Sequence, residues 1–256
     1  MANSKAGFST STSTATATAK VERMRLDRFL AQATGLSRSQ LKPLIKRGAV
    51  CVDGQPLRDA AAKVGNDQAV LFRGEPVALR PPVYLMLNKP DGVICSTDDA
   101  DHRTVIDLLP ESLRSGVHPA GRLDLDTTGL VLLTDDGQWS HRITSPKRKC
   151  TKRYRVWLAE PLSPELAADA KQRFAEGLML RGESQPTLPA ELIVDQPDQV
   201  QILIQEGRYH QVKRMFAALG NKVVRLHREQ IGALALDAAL EPGQYRVLSD
   251  EEVALF

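Results

Sequence analysis

The sequence predicts an α+β fold in two parts: a small module of helices and strands, then a mixed, mostly antiparallel β-sheet with flanking helices. Short apolar runs bounded by turn residues predict the strands, and Leu130–Leu133 and Val200–Ile204 are two of them. Ser163-Pro164-Glu165 supplies an N-cap, a proline at the first helical position and an acid in the first turn, which predicts a flanking helix. Glycine and proline between residues 74 and 82 mark the boundary between the two parts.

The composition is that of a soluble globular protein with room for two domains. The chain has 256 residues, of which 42% are hydrophobic and 25% are charged. A formal net charge of +3 is weak evidence for nucleic acid, so the positions of the basic residues matter more than their number. No apolar run approaches the roughly 20 residues that span a bilayer, so no membrane partner is expected.

Cysteine spacing and the first residues bear on the compartment. Cys51, Cys95 and Cys150 lie far apart without a C-x-x-C pair, so neither a zinc site nor a disulfide framework is expected, and a reducing cytoplasm is predicted. Residues 1–22 are rich in Ser, Thr and Ala and lack an apolar signal segment, which predicts a disordered tail. An organellar transit peptide is the weaker alternative, since the first arginines are Arg23 and Arg25.

Residues 23–79 are predicted to form the first domain. Apolar residues recur at helical spacing from Leu26 to Ala33, and Gly35 closes that helix. Ser37 is the expected N-cap of a second helix over Arg38–Lys46, although Pro43 should kink that helix or delay its start.

A strand over Ala49–Val52 should follow and run into a hairpin turn at Asp53-Gly54. On the preceding helix, Arg38, Lys42 and Lys46 stand four residues apart and form a basic stripe that suits a phosphate backbone. A solvated helix face is the alternative, and charge alone favours it.

The second domain, residues 80–256, should begin with a buried strand over Val83–Leu87 that leaves Lys89 at its end. Thr104 is expected to cap a short helix that reaches Leu109. The cluster of Asp98, Asp99 and Asp101 is interpreted as a capped loop, because no matching metal ligands follow, and no metal is expected.

The stretch from His118 to Gly137 contains the main candidates for catalytic residues. In extended backbone, Arg122, Asp124 and Asp126 would share one face at the start of a buried strand. A guanidinium beside a carboxylate keeps it ionised near neutral pH, as a carboxylate nucleophile requires. The alternative is that Asp126-Thr127-Thr128-Gly129 forms only a hydrogen-bonded turn, and spacing alone leaves both interpretations open.

The densest basic segment comes next, after a helix capped by Asp135 or Asp136 and stopped by Pro146. Six basic residues occupy positions 147–155, and the alternating strand Lys152–Leu158 should direct Tyr154 toward the region of Asp124. The Tyr154 ring there could stack on a nucleobase, and a core tyrosine is the alternative.

The remaining elements are a helix near Pro164–Glu176 and strands at Leu178–Leu180, Ala190–Val194, Val200–Ile204, Lys222–Leu226 and Tyr245–Leu248. A further helix should bury Val212, Met215, Phe216 and Leu219 and stop at Gly220. Lys213 and Arg214 at its start could reach a phosphate or a carboxylate, or could be a solvated pair.

Two basic helices followed by G-x-V-x-V-D-G resemble the S-four-type RNA-binding module. The resemblance covers roughly residues 24–79 and implies an RNA-docking domain. The positions that it implies for RNA binding are Arg25, Arg28, Arg38, Lys42, Lys46 and Arg47.

Three motifs in order behind that module, G-R-L-D-L-D-T-T-G-L, K-R-Y-R-V and E-G-R-Y-H-Q-V-K-R-M-F, resemble the pseudouridine synthases. The stretches 95–99 and 134–146 favour the type that acts on small-subunit (16S) ribosomal RNA, the RsuA type. The resemblance implies the pseudouridine synthase fold and a cofactor-free isomerisation of uridine, with uridine 516 as the expected target. It also implies a monomer whose partner is small-subunit ribosomal RNA, either naked or in a partly assembled ribonucleoprotein.

The same resemblance implies roles for individual residues. It makes Asp124, which directly follows G-R-L, the catalytic carboxylate and leaves Asp126 to shape the loop. Arg122 would hold the target nucleotide out of its helix, Tyr154 would stack on the base and Lys213 would pair with Asp124, with Arg214 as a further substrate-binding residue. The alternatives are a large-subunit substrate, an inactive RNA-binding assembly factor, and a glycosidase-like hydrolase that uses Asp124 and Asp126.

Overall fold

The computed structural model of the protein describes residues 23–256, which form two compact units that divide after Arg80. The sequence predicted the division after residue 79, one position earlier. The predicted tail, residues 1–22, lies outside the described residues. No helix within residues 23–256 combines the length and apolar character needed to cross a membrane.

The first unit packs two helices against short antiparallel strands. Its core holds side chains from both helices, including Leu26, Phe29, Leu41 and Ile45. The elements in chain order are β1 Met24–Arg25, α1 Leu26–Thr34, α2 Arg38–Lys46, β2 Val50–Val52, β3 Gln55–Pro56, β4 Lys63–Val64, β5 Val70–Phe72 and β6 Glu75–Val77. Strands β3, β2, β5 and β6 form one sheet in that order, and β1 pairs with β4.

The helix α2 begins at Arg38 despite the proline inside it. The Ser37 hydroxyl accepts from the Gln40 N–H, and the Gln40 side chain accepts from the Ser37 N–H, so a capping box fixes the start that the sequence predicted. The expected delay of the start by Pro43 is therefore wrong. Burial of Leu41 and Ile45 on either side of Pro43 stabilises both turns against the loss of one backbone hydrogen bond.

Two tight hairpins shape the small sheet. Asp53 and Gly54 both have positive φ, 50° and 79°, and join β2 to β3 in the two-residue turn that the Asp-Gly pair predicted. Arg73 and Gly74 repeat the arrangement between β5 and β6. Glu75–Val77 is therefore an edge strand of the first unit, where Pro76 is tolerated, and the boundary lies in the later part of the predicted range 74–82.

The second unit is built on one large sheet. Its strands are β7 Tyr84–Lys89, β8 His118–Pro119, β9 Thr127–Thr134, β10 Lys152–Leu158, β11 Glu191–Gln196, β12 Gln199–Ile204, β13 Val223–Ile231, β14 Leu234–Ala235 and β15 Tyr245–Val247. Its helices are α3 Glu111–Arg114, α4 Gly137–Thr144, α5 Pro164–Glu176, α6 Gln211–Ala217 and α7 Asp250–Val253, and a 3₁₀ turn covers Pro146–Arg148.

The central path of the sheet runs β11-β12-β10-β13-β9-β7-β15, with β14 on β13 and β8 on β9. The pair β9–β13 is parallel and the other pairs of this sheet are antiparallel. The predicted mixed, mostly antiparallel sheet with flanking helices is confirmed.

Both faces of the sheet carry cores, because strand residues alternate between them. One face buries Leu87, Val131, Val156 and Ile202 beneath helices α5 and α6. The other face buries Met86, Leu130 and Leu132 beneath Trp139 of α4. The middle of β9 is therefore buried on both faces, which explains the uninterrupted apolar run Leu130–Leu133.

Two predicted elements of this unit are wrong. Residues 105–109 form turns, since the reciprocal hydrogen bonds of Thr104 with Asp107 close a single turn and the helix α3 starts only at Glu111. Leu178–Leu180 is an irregular segment whose Leu178 bonds to Thr187 alone. Leu178 and Leu180 are both buried, so their spacing reflects burial rather than a strand.

Candidate active site

The stretch from His118 to Gly137 lines a cavity of about 680 Å³ in the second unit. One wall is the segment from Ala120 to Leu125, which ends in front of β9. The opposite wall is the segment from Gln205 to Val212, which leads into α6. Lys152 and Tyr154 of β10 and Arg228 of β13 also line it. Residues from all three motifs that resemble the pseudouridine synthases therefore line this cavity.

The segment that we call the Asp124 loop, residues 121–127, turns at its C-terminal end. The Thr127 N–H donates to the Asp124 carbonyl at 3.1 Å, so a turn covers Asp124 to Thr127. The predicted place of Asp126 on the same face as Arg122 and Asp124 is wrong for that reason, whereas Arg122 and Asp124 both line the cavity. The alternative turn at residues 126–129 is wrong as well, because β9 begins at Thr127.

A buried lysine fixes the C-terminal half of this loop. Lys89 lies at the end of β7, as predicted, and its side chain is fully buried. Its ammonium donates to the carbonyls of Leu125 at 3.0 Å, Thr127 at 2.8 Å and Pro90 at 3.0 Å. Burial lowers the pKa of Lys89. Lys89 does not line the cavity, so it acts on the backbone of the loop and not on a ligand.

A second buried cation, Arg228, contacts the start of the Asp124 loop and the strand that follows the loop. The sequence analysis assigned it no role. The Arg228 Nε donates to the Leu130 carbonyl at 2.8 Å, and its Nη1 lies 3.4 Å from the Tyr154 hydroxyl and 3.5 Å from the Arg122 carbonyl. Leu226 and Arg228 stand two apart in β13 and are both buried. A cation at that spacing on an apolar strand face was the available signal.

The strands β9 and β13 approach closely at one glycine. Gly129 pairs with Arg228 and has a φ of 103°. A Cβ on Gly129 would lie 2.3 Å from the Arg228 carbonyl oxygen. Only glycine fits this position, and the requirement explains the glycine in the motif D-T-T-G-L.

Two basic groups lie near the half-buried Asp124 carboxylate. The His210 Nε2 is 3.6 Å from Oδ1, and the Lys213 Nζ is 3.9 Å from Oδ2. Lys213 lies closer to Asp126, at 2.5 Å, and this hydrogen bond lowers the pKa of Asp126. The expected pair of Lys213 with Asp124 is thus a bridge to both carboxylates with Asp126 as the nearer partner. His210 was missed.

The other predicted residues divide into two groups. Arg122 and Tyr154 line the same cavity as Asp124, and Tyr154 is buried on the predicted face of β10. Lys152, two positions before Tyr154 in the alternating strand β10, lines the cavity too. Arg214 does not line it: its guanidinium donates to Glu183 and to the carbonyls of Arg181 and Tyr209. These contacts favour a structural role for Arg214, and a contact with substrate stays a prediction.

The Asp-rich stretch is a hydrogen-bonded loop. Asp99 accepts from the N–H groups of Asp101 and His102, at 3.0 and 2.9 Å, as the capped-loop interpretation predicted. Over residues 23–256, no three His, Cys, Asp or Glu side chains are grouped so as to hold a metal ion.

In the first unit, the first residue of the basic stripe, Arg38, is paired with a buried carboxylate. The fully buried Asp27 accepts from Arg25 at 3.1 Å and from Arg38 at 2.8 Å. The hydrogen bonds from Arg25, then those from Arg38, lower the pKa of Asp27 to about 2. Lys42, Lys46 and Arg47 are exposed, and none of them has an ion-pair partner within the described part of the chain.

Comparison with known proteins identifies both units. The family described as RNA pseudouridylate synthase matches residues 83–218, and the S4 domain family matches residues 24–70. A crystal structure described as a pseudouridylate synthase covers 91% of this chain and 100% of its own, with 48% identity and a TM-score of 0.66.

Two relatives of nearly the same length share half of the sequence. The protein named ribosomal small subunit pseudouridine synthase A in Vibrio cholerae is 53% identical over 231 residues, which cover 90% of this chain and 98% of the relative. Its namesake in Escherichia coli K12 is 54% identical over 232 residues, which cover 90% of this chain and 99% of the relative. Fold and sequence together define an RNA-modifying enzyme with an RNA-binding module. The chain belongs to the RNA pseudouridylate synthase family.

Proposed function

We propose that this protein isomerises one uridine of small-subunit ribosomal RNA to pseudouridine. The identity of 53 to 54% over almost the whole length of relatives named for the small subunit supports this substrate over one from the large subunit. A non-catalytic assembly factor is the remaining alternative. The intact set of Asp124, Arg122 and Tyr154 around one cavity argues against that alternative.

The observation that carries the proposal is the position of Asp124. Its carboxylate lines the cavity, with the His210 imidazole and the Lys213 ammonium both within 4 Å of it. Asp124 acts as the catalytic carboxylate, as a nucleophile or by promoting loss of the base. Asp126 is exposed and turned toward Lys213, so it shapes the loop.

The walls of the cavity match the needs of a reaction on a base. A uridine inside a helix must leave the stack before its glycosidic bond can be reached, which costs a few kcal/mol. Tyr154 offers a ring for stacking, and the exposed Arg122 at the cavity edge offers a cation to the displaced nucleotide. The bond between uracil N1 and the ribose C1′ then breaks, the uracil turns, and a bond between C5 and C1′ forms, while the proton on C5 is lost and N1 takes one up. All atoms of the product come from the substrate, so no cofactor is required.

The S4 domain supplies further contacts with the RNA. Arg28, Lys42, Lys46 and Arg47 contact phosphates, and Arg25 and Arg38 contribute mainly by fixing the two helices through Asp27. The division of roles follows from the buried Asp27, which engages two of the six predicted RNA-binding side chains.

The test is pseudouridine mapping after incubation with the wild-type enzyme. Unmodified small-subunit RNA, the same RNA in partly assembled particles, and large-subunit RNA are compared. We expect a single new pseudouridine in small-subunit RNA, at uridine 516, and the comparison of naked RNA with particles identifies the true substrate. Modification confined to large-subunit RNA would refute the proposed substrate, and no modification of any RNA would favour the assembly factor.

A further inference from the structure

The segment Glu206–Gln211 presents two rings at the cavity and is itself held rigidly. The Arg208 guanidinium donates to Glu206 and to the carbonyls of Gln185 and Pro186. The Gln211 side chain accepts from the Arg208 N–H and donates to Glu206. These bonds involve the residues on both sides of Tyr209 and His210, so the tip of the segment has a defined conformation.

Tyr209 is the most exposed large hydrophobic side chain within residues 23–256, with 76% of its surface accessible. It lines the cavity, and Arg214 holds its carbonyl oxygen at 3.0 Å. One face of its ring stacks on the His210 imidazole, with ring centroids 3.8 Å apart and planes inclined by 18°. An aromatic ring left in water beside a binding cavity favours contact with a ligand, because a tyrosine normally buries its ring.

His210 connects this stack to the site of the reaction. Its backbone has a φ of 47° and a ψ of 35°, and its side chain does not cap α6. This left-handed conformation brings the ring between Tyr209 and Asp124, with Nε2 3.6 Å from the carboxylate. The Tyr209 ring stacks on His210, so only the His210 side chain separates it from the proposed catalytic carboxylate of Asp124.

We propose that the exposed region of Tyr209 is a stacking platform for a nucleobase adjacent to the target uridine, with His210 as the residue that positions the platform. The inference rests on the proposed function, because it takes the target base to occupy the cavity beside Tyr154. The neighbouring nucleotide must then lie at the mouth, where Tyr209 stands. Stacking on a ring accepts any base, so the platform strengthens binding without reading sequence.

The test uses an RNA fragment that contains the mapped target, with the fluorescent base 2-aminopurine at each flanking position in turn. Wild type is compared with Tyr209→Ala, Tyr209→Phe and the control Leu166→Ala, which shortens an exposed apolar side chain of α5 outside the cavity. Wild type and Tyr209→Phe should quench the probe at one flanking position. Tyr209→Ala should lose the quenching and bind the RNA about 10-fold more weakly, the typical effect of one lost aromatic stack.

The loss in Tyr209→Ala should be larger in the affinity for RNA than in the rate at saturating RNA, and the unfolding midpoint should not change, because the side chain is exposed. Quenching and affinity equal to wild type in Tyr209→Ala would overturn the platform. A loss in Tyr209→Phe as large as in Tyr209→Ala would also overturn it, because the hydroxyl would then be the contact. Failure of the wild type to form pseudouridine would instead refute the proposed function.

Discussion

The buried ammonium of Lys89 donates a 2.8 Å hydrogen bond to the backbone carbonyl of Thr127, the residue at which the Asp124 loop becomes strand β9. A second bond, to Leu125, restrains the preceding turn. The position of Asp124 therefore depends on a residue that never meets the cavity. The arrangement separates residues that hold the loop from residues that line the cavity.

Replacement of Lys89 by methionine should destabilise the second unit by about 1–3 kcal/mol, because buried carbonyls lose their donor while the cost of burying an ammonium is relieved. The turnover rate should fall far less than in Asp124→Asn, because no group of Lys89 lines the cavity. Urea unfolding and single-turnover assays measure both effects. Lys222→Met, which changes an exposed lysine, is the control. Inactivity of a folded Lys89→Met enzyme would show that Lys89 takes part in the reaction.

Replacement of Gly129 by alanine should destabilise the second unit by at least about 2 kcal/mol, since the new Cβ would meet the Arg228 carbonyl at 2.3 Å in a left-handed conformation. Gly137→Ala is the matched control, because it has free space around it and begins helix α4. The fluorescence of Trp139 and Trp157 follows this unit alone during denaturation. Equal stability of the two variants would contradict the close approach of β9 and β13.

Much of the fold could be predicted because local patterns and burial agree. The strand Lys152–Leu158 alternates, and the helix Pro164–Glu176 carries its own N-cap, so both have the predicted bounds. The turn at Asp124 could not be predicted, because the bonds that set it come from Lys89, 36 and 38 positions away in sequence. Lys213 lies closer to Asp126 than to Asp124, and this could not be predicted either, because it depends on where α6 packs in the folded unit. The strand predicted at Leu178–Leu180 was wrong, because buried residues that pair with no strand can show the same alternation of apolar side chains.

The basic residues of the S4 domain should separate into two classes on mutation. Alanine at Lys42, Lys46 and Arg47 should weaken RNA binding and reduce its salt dependence by about one unit of slope per lost phosphate contact, with unchanged folding. Arg38→Ala should destabilise the first unit, because it takes a partner from the buried Asp27. Filter binding over a salt series and hydrogen exchange of α1 measure these effects. An unchanged salt slope in the triple variant would show that the stripe is merely solvated.

The stability of the first unit should depend on acid through Asp27. Its pKa is about 2 when folded and 3.8 in the reference state, so its contribution is complete above about pH 4 to 5 and is lost as the pH falls toward 2. The contribution should be on the order of 2 kcal/mol. Hydrogen exchange of the α1 amides, corrected for the intrinsic rate at each pH, compares wild type with Asp27→Asn. The difference between the two should shrink with acid, and a constant difference would contradict the assignment.

We propose that Asp124 is the catalytic carboxylate and that Asp126 shapes the loop, although Lys213 lies within 4 Å of both. The most direct measurement is the single-turnover rate of pseudouridine formation in one small-subunit RNA by Asp124→Asn and Asp126→Asn, with RNA affinity and unfolding measured alongside. Asp124→Asn should bind the RNA and form no detectable pseudouridine. Asp126→Asn should keep its rate within about 10-fold of wild type, since it loses only the partner of Lys213. Pseudouridine formation by Asp124→Asn at the wild-type rate, or its abolition only in Asp126→Asn, would contradict the account.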